Sequence, residues 1–466
     1  LLLGRGFSAF ADLVTVALTY LMGREILGKQ QGFLAAAMLS VTAIHVQQSH
    51  YYTAECLLTA CATCSVLFTI RLARRASTTA ALIAGTAAGL AIGAKATGLL
   101  LVLPLWASCS MVQASSKSRW RYMLVCGLAV LLAFTATNPY AFWRLPTFLK
   151  NLSLQAAILR GTAGVPYTRQ YTQTIPFVYP AIQQLRWGLG LTQGIVCIGG
   201  LFFVLWRISQ GPTKPGELLL LTWIVPYVGF AGALYAKFPR YMLPVIPFVV
   251  LLGAQLICHL WEYCRTAGRT IAGLSVFVPS ARCLALVIMY LRPHPWIQTS
   301  LWIQNEVPQG STIGIEAWDY PLPINGSEHY EIVEIPIFDE ENAAMDSALR
   351  DVLNRADYLI IASRLGYTAV SRTPERHLSM IEYYTRLFNE ELDFRSVHCF
   401  GRYPVIGPFV IVDQPLHPFG LNWHELCSDF PSSPILNFGR LDESFVVYDH
   451  PTTIVFQRES YAREPE

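Results

Sequence analysis

Between residues 7 and 291 the sequence is a succession of apolar runs separated by short polar connectors. A membrane-spanning helix needs about 20 mostly apolar residues. By that measure the runs predict spans at roughly 7–23, 32–48, 55–72, 79–94, 97–112, 122–138, 187–207, 217–236, 241–261 and 270–291. Gly and Pro inside them are compatible with membrane helices. The pair over 79–112 reads as a tight hairpin through Gly93-Ala94-Lys95. After Arg292 the long runs stop and Asp and Glu become frequent. The whole chain carries only 14 % charged residues against 53 % hydrophobic, where a soluble domain carries about 25 % charged. The expectation is a polytopic α-helical membrane domain over 1–292, with a large outer loop at 138–186, followed by a soluble domain over 293–466.

The connectors fall into two alternating sets. REILGKQQ, RLARRAST, SSKSRWRY, RISQGPTKPG and CRTAGRT are short and rich in Lys and Arg. HVQQSHYYTAE, GAKAT, the loop 138–186 and AKFPRY are poorer in positive charge for their length. The positive-inside rule assigns the first set to the cytoplasm. An even number of spans then puts the N-terminal end, HVQQSHYYTAE, Lys95, Arg240 and the domain after Arg292 on the outer face.

Acids are scarce before Arg292: Asp12, Glu25, Glu55, Glu217 and Glu262. Glu55 alone falls in an outer connector, at a helix start where the helix dipole favours a carboxylate. Asp12 lies inside the first span with no partner that the sequence identifies. Lys95, Lys237 and Arg240 place cations on the same outer side, and Arg160, Tyr167, Arg169 and Tyr171 add polar groups in the long loop. Cations can hold a phosphate, with Arg suited to bidentate contact. A carboxylate can act as a base, ligate a metal or bind a sugar hydroxyl. Tyr51, Tyr52, Tyr167 and Tyr171 can line a sugar or lipid path, and His50 sits beside them. Each residue also has a structural reading, as a helix-start acid, an interfacial anchor or part of a solvated loop. Cys61 and Cys64 form a CxxC inside an apolar helix, with no second pair at zinc spacing. Cys399 and Cys427 could pair in an oxidising compartment or remain free thiols. The basic connectors are short, with little aromatic interleaving, so nucleic acid is not a partner.

Beyond Arg292, short apolar runs (STIGIE, YLIIAS, FVIVD, FVVYD, TIVFQR) alternate with helical patterns such as ENAAMDSALRDVLNRA. That is an α/β pattern. Glu316, Trp318 and Asp319 follow a strand, at the end where α/β sheets tend to bind ligands. They are candidate acceptor contacts.

GRGFSAFADLVTVALTYLMGREILG, HVQQSHYYTAECLLT, GLAIGAKATGLLLVLPL, TNPYAF, VPYTRQYTQTIPFVYPAIQQLRWGLG and KFPRYMLPVIPF, in that order, resemble the membrane core of the protein O-mannosyltransferase class (glycosyltransferase family 39, GT-C fold). IGIEAWDYPLP, ADYLIIASRLGY, ERHLSMIEYYTRLF and DESFVVYDHPTTIVFQR resemble the outer domain of bacterial members. The resemblance implies a multi-pass protein of the plasma (inner) membrane. It would transfer mannose or another hexose or pentose, with inversion, from a polyprenyl-phosphate carrier to a protein, lipid or glycan acceptor on the outer face. It implies phosphate contacts from Lys95, Arg240 and Lys237, with a divalent cation (Mg or Mn) as a further participant. Glu55 matches the family's second acidic position, which makes it the candidate catalytic residue of this chain, helping to position acceptor or metal while the main base lies in the family's first acidic loop. Leu1 corresponds to the entry of the family's second span, so its first acidic loop is expected upstream of Leu1. A secondary transporter and a non-catalytic carrier-binding member are the rival classes. Against a transporter, there is no internal repeat and no pair of broken helices in corresponding halves.

Overall fold

A computed structural model describes residues 2–211, 214–413, 419 and 433–459. Among them, seven helices are long and apolar enough to cross a membrane: Leu2–Ile26, Ala54–Arg75, Ser116–Thr137, Leu191–Gln210, Pro215–Ala233, Pro239–Tyr263 and Arg265–Glu306. Thr78–Ala94 and Ala96–Met111 are shorter apolar helices. The chain is a multi-pass membrane protein, with an α/β region toward its C-terminus.

The run 32–48 is not one continuous helix. Helix α1 (Leu2–Ile26) is followed by α2 (Lys29–Ser40), which stops at Val41; α3 (Ala43–Ser49) restarts after Thr42. The break is stabilised by side chains that take over freed carbonyls. Thr42 Oγ1 and Gln193 Nε2 both donate to Met38 O, at 2.9 and 2.7 Å. Nothing in the apolar pattern marks this break, because Gln193 is far away in sequence. Helices α4 (Ala54–Arg75), α5 (Thr78–Ala94), α6 (Val102–Met111) and α7 (Ser116–Thr137) follow. A 3₁₀ turn over Ala96–Leu101 joins α5 to α6.

Contacts divide the chain into two compact units. One comprises 1–157 with 175–283, the other 158–174 with 284–466. The first is helical and packs through small residues, as membrane helices do when backbones approach closely. A Cβ on Gly85 or Gly89 of α5 would sit 2.5 Å from Cys126 O or Val130 O of α7. A Cβ on Gly23 would meet Gly32 Cα at 2.6 Å, joining α1 to α2. Hydroxyls inside the helices bond back one turn, Thr15 to Ala11 O at 2.8 Å and Thr63 to Thr59 O at 2.7 Å, so they cost no unsatisfied donor in lipid.

The second unit is built on strands β1 (Thr312–Glu316), β2 (Glu331–Ile335), β3 (Tyr358–Ile361), β4 (Phe394–Phe400), β5 (Val405–Ile406), β6 (Phe409–Val412), β7 (Ile435–Asn437) and β8 (Thr453–Arg458). The main sheet has the order β2-β1-β3-β8-β4, and β5-β6-β7 form a second sheet. β1 runs parallel to β2 and β3, and β8 antiparallel to β3 and β4. All five residues of β1 are buried, as suits a central strand covered on both faces. The run FVVYD is not a strand. Asp442 accepts from Ser444 N at 2.9 Å and starts a helical turn over Glu443–Val446 instead.

The segment 158–174, assigned from the sequence to the membrane domain's loop, belongs to this second unit. Arg169 donates to His377 Nε2 at 2.8 Å, Tyr171 Oη donates to Asp442 at 3.3 Å, and Glu443 N donates to Gln170 at 3.1 Å. Polar side chains that a sequence presents as loop residues thus hold the segment in place. Cys399 is disulfide-bonded, and Cys427 lies outside the described residues.

Candidate functional site

HVQQSHYYTAE forms the end of α3, a turn and the first residues of α4. His50 ends α3 and bonds Val46 O through Nδ1 at 2.8 Å, so its ring serves the helix end. Tyr51 is half-buried, and the exposed Tyr52 covers Gly4 of α1, where a Cβ would fall 2.7 Å from the ring. Thr53 is extended and α4 starts behind it, which puts Glu55 in the first turn with only 5 % exposure.

Buried there, Glu55 meets two cations. Lys95 Nζ, in the extended residue between α5 and the 3₁₀ turn, donates to Glu55 Oε1 at 2.7 Å. Arg240 Nε lies 3.6 Å from the same oxygen. Arg240 comes from a second 3₁₀ turn, Pro239–Val245, where Pro239 and Pro244 restrict the backbone. The Tyr241 ring lies 3.8 Å from Lys95 Nζ and 5.8 Å from Arg240, and Phe238 lies 4.5 Å from Arg240. Aromatic faces next to cations hold them without neutralising them. One carboxylate and two cations leave a net positive charge in a largely dry setting. Lys237 is buried but turns to Tyr235, whose carbonyl accepts its ammonium at 3.0 Å. Among the described residues, the ion pairs of Glu55 are with Lys95 and Arg240.

Tyr241 went unnoticed in the sequence, though KFPRY presents it next to Arg240. Asp12, for which the sequence identifies no partner, lies next to His45 of α3: its carboxylate is 3.6 Å from His45 Nδ1, beyond hydrogen-bond reach, with both residues buried. Two polar residues in apolar helices were the only signal, and packing alone could pair them.

A second group forms in the α/β unit. β1 lies between β2 and β3, so the chain leaves it first to one side and then to the other, a switch point outside whose strand ends α/β sheets tend to bind ligands. Glu316 closes β1, and Tyr384 Oη donates to its Oε1 at 2.6 Å. Ser363, just after β3, donates to Asp319 at 2.9 and 3.1 Å. Burial, with Asp319 nearby, pushes the Glu316 carboxyl well above the usual range, against the pull of the Tyr384 hydroxyl. Burial likewise pushes Asp319 up to about 6, while Tyr320 N and Ser363 oppose the shift. Between these acids Trp318 is 65 % exposed at φ 70°, a conformation that costs a bulky residue energy and is retained where surroundings enforce it. Next in the chain to Ser363, Arg364 pairs with Asp413 at 2.5 Å and Glu443 at 2.6 Å. Ser363, Arg364 and Tyr384 were not singled out from the sequence. Arg160 and Tyr167 are exposed, while Arg169 and Tyr171 are engaged within the unit as described above.

Among the described residues, no group of three or more His, Cys, Asp or Glu side chains is arranged to hold a metal ion. Glu55, the acid nearest the cations, is met by two positive charges, a setting that does not suit a divalent cation.

The fold and these groups define a multi-pass membrane protein with a buried carboxylate gripped by two cations, joined to an α/β unit. Residues 4–143, which include Glu55 and Lys95, match the family model of dolichyl-phosphate-mannose-protein mannosyltransferase. No curated protein matches the chain. Among solved structures it is similar to the archaeal oligosaccharyltransferase AglB from Archaeoglobus fulgidus, in complex with an inhibitory peptide and a dolichol-phosphate. The identity is 12 % and the TM-score 0.48, over 85 % of this chain and 62 % of that one. It is also similar to ArnT from Cupriavidus metallidurans bound to undecaprenyl phosphate, at 15 % identity and TM-score 0.47, over 79 % of this chain and 80 % of that one. The chain thus spans less than two thirds of the AglB chain.

Proposed function

We propose that the chain is a membrane glycosyltransferase that moves a sugar from a polyprenyl-phosphate carrier to an acceptor on the outer face of the membrane, inverting the anomeric centre. The observation that carries this reading is the Glu55–Lys95–Arg240 group, built partly from the segment that matches the mannosyltransferase family. In such a transfer the acceptor oxygen bonds to the anomeric carbon and its proton passes to water, while the carrier phosphate leaves with the electrons of the broken glycosidic bond and gains negative charge. Lys95 and Arg240 meet that charge, and their fixed positions are what make such stabilisation effective. Glu55 holds the two cations apart from bulk water and orients the Lys95 ammonium before the donor arrives. The prenyl chain lies among the helices, so that only its head reaches the cations. In the α/β unit, Glu316, Trp318 and Asp319 recognise the acceptor, through hydrogen bonds and the exposed indole face. The C-terminal unit is extracytoplasmic by the charge asymmetry of the connectors.

The test is transfer of label from radiolabelled polyprenyl-phosphate sugars to endogenous acceptors, with the full chain in proteoliposomes. Label in acceptor that depends on Lys95 and Arg240 supports the reading. Uptake of free sugar into the vesicles without any lipid-linked donor would replace it with a transporter.

A further inference from the structure

At the end of the helical unit remote from Glu55, α4 closes against α1, where Arg71 bonds Glu25 at 2.5 Å. α4 has 22 residues, so this end lies roughly 30 Å from Glu55. A cavity of about 470 Å³ opens here, between the corner that follows α1 and the ends of the helices Leu191–Gln210 and Ile246–Tyr263. Four side chains in its wall matter. Arg207 is committed, since its guanidinium bonds both oxygens of the fully buried Glu217 at 2.7 and 2.5 Å. Gln255 donates its Nε2 to Glu217 at 2.9 Å, which leaves its buried Oε1 with no hydrogen-bond partner among the described residues. Lys214 and Glu262 also line the cavity, both exposed, and neither forms an ion pair among the described residues. On the helix that carries Arg207, Phe202 and Trp206 are exposed apolar rings, 66 and 58 % accessible.

We propose that this cavity holds the headgroup of a phospholipid that carries both a phosphate and a primary ammonium, with the phosphate at Lys214, the ammonium at Glu262 and Gln255 Oε1, and the acyl chains along Phe202 and Trp206. A free cation and a free anion in one wall match a zwitterion better than an anion, because an anionic headgroup would bring like charge to Glu262. The orphaned Gln255 oxygen calls for a hydrogen-bond donor, since a buried acceptor without one is destabilising. A primary ammonium has such donors and a quaternary one has none. Trp at this level suits the membrane interface, and basic pockets at helix ends on the positive-rich face are a recurrent way to hold lipid headgroups. The site is independent of sugar transfer and uses no residue of the Glu55 group.

The full chain, delipidated in detergent and offered equal amounts of phosphatidylethanolamine, phosphatidylcholine and phosphatidylglycerol, is read by native mass spectrometry. Phosphatidylethanolamine is retained several-fold better than either competitor. Glu262→Gln, at an exposed position, brings its retention down to that of phosphatidylcholine, and Lys214→Ala lowers retention of all three together. Equal retention of the three lipids, a preference for phosphatidylglycerol, or an unchanged preference in Glu262→Gln would each overturn the proposal. Free phosphoethanolamine at the concentration of the lipid leaves the lipid bound. Its displacement of the lipid would assign the cavity to a soluble phosphate ester and overturn the lipid reading.

Discussion

Glu55 shows how one side chain can be fixed by charge where lipid-facing helices offer few polar partners. Its removal separates two effects. Glu55→Gln keeps the shape of the side chain and frees Lys95 and Arg240 from a shared anion. Sugar transfer is expected to fall by about 100-fold, the scale of losing one preorganised electrostatic contact, in the proteoliposome assay. Lys95→Met instead leaves a buried carboxylate short of its nearest cation, and breaking such a pair costs about 3–5 kcal/mol. Thermal unfolding in detergent should show that loss for Lys95→Met. In the α/β unit, desolvation pushes the half-buried Asp319 carboxyl from the ordinary 3.8 up to about 6. The folded protein therefore keeps a proton that the unfolded chain releases at lower pH. The stability this group contributes is full below about pH 3.8 and is lost as pH rises through about 6. Asp319→Asn should flatten the fall in unfolding midpoint over that window, and an unaltered slope would show that other groups produce it.

Elements are set by contacts more than by their own composition. α5, at 17 residues, is short and rich in Gly and Ala, and Gly85 and Gly89 let it approach the α7 backbone to within van der Waals contact. Gly85→Val would push a branched side chain into Cys126 O. The expected loss is at least the 1–3 kcal/mol typical of overpacking, visible as a lower unfolding temperature, while Gly127→Val of α7, which faces open space, should cost far less. The break between α2 and α3 has the same origin. An apolar run can be continued or cut, and the donors from Thr42 and Gln193 decide for the cut. In FVVYD, local capping by Asp442 outweighs the strand propensity of Val and Tyr.

The whole molecule comprises two units that do not follow the chain's simplest division. A boundary near Arg292 follows from where the apolar runs end, but 158–174 crosses it to join the α/β unit through Arg169, Gln170 and Tyr171. If the α/β unit recognises the acceptor, cutting its link to that segment should alter acceptor use without touching the donor cations. Arg169→Ala removes the contact to His377 and the packing over Phe338, 5.1 Å away. It is expected to raise the acceptor KM while leaving the donor KM unchanged, which steady-state transfer kinetics would measure.

The sequence by itself determined the membrane class, the order of helices before strands, and the identity of Glu55, Lys95 and Arg240 as a rare acid and cations at span ends. Those features are local: apolar run length, charge density and polar residues in apolar surroundings are written residue by residue. Only the tertiary structure decided that Glu55 bonds Lys95 across 40 positions, that Lys237 turns away to Tyr235, that Asp12 meets His45, and that Tyr384 reaches Glu316. It also decided which residues ring the cavity at the far end of the helices. Such pairings join residues distant in sequence, and their energies depend on burial and distance, which a sequence pattern does not carry until the helices and strands have packed.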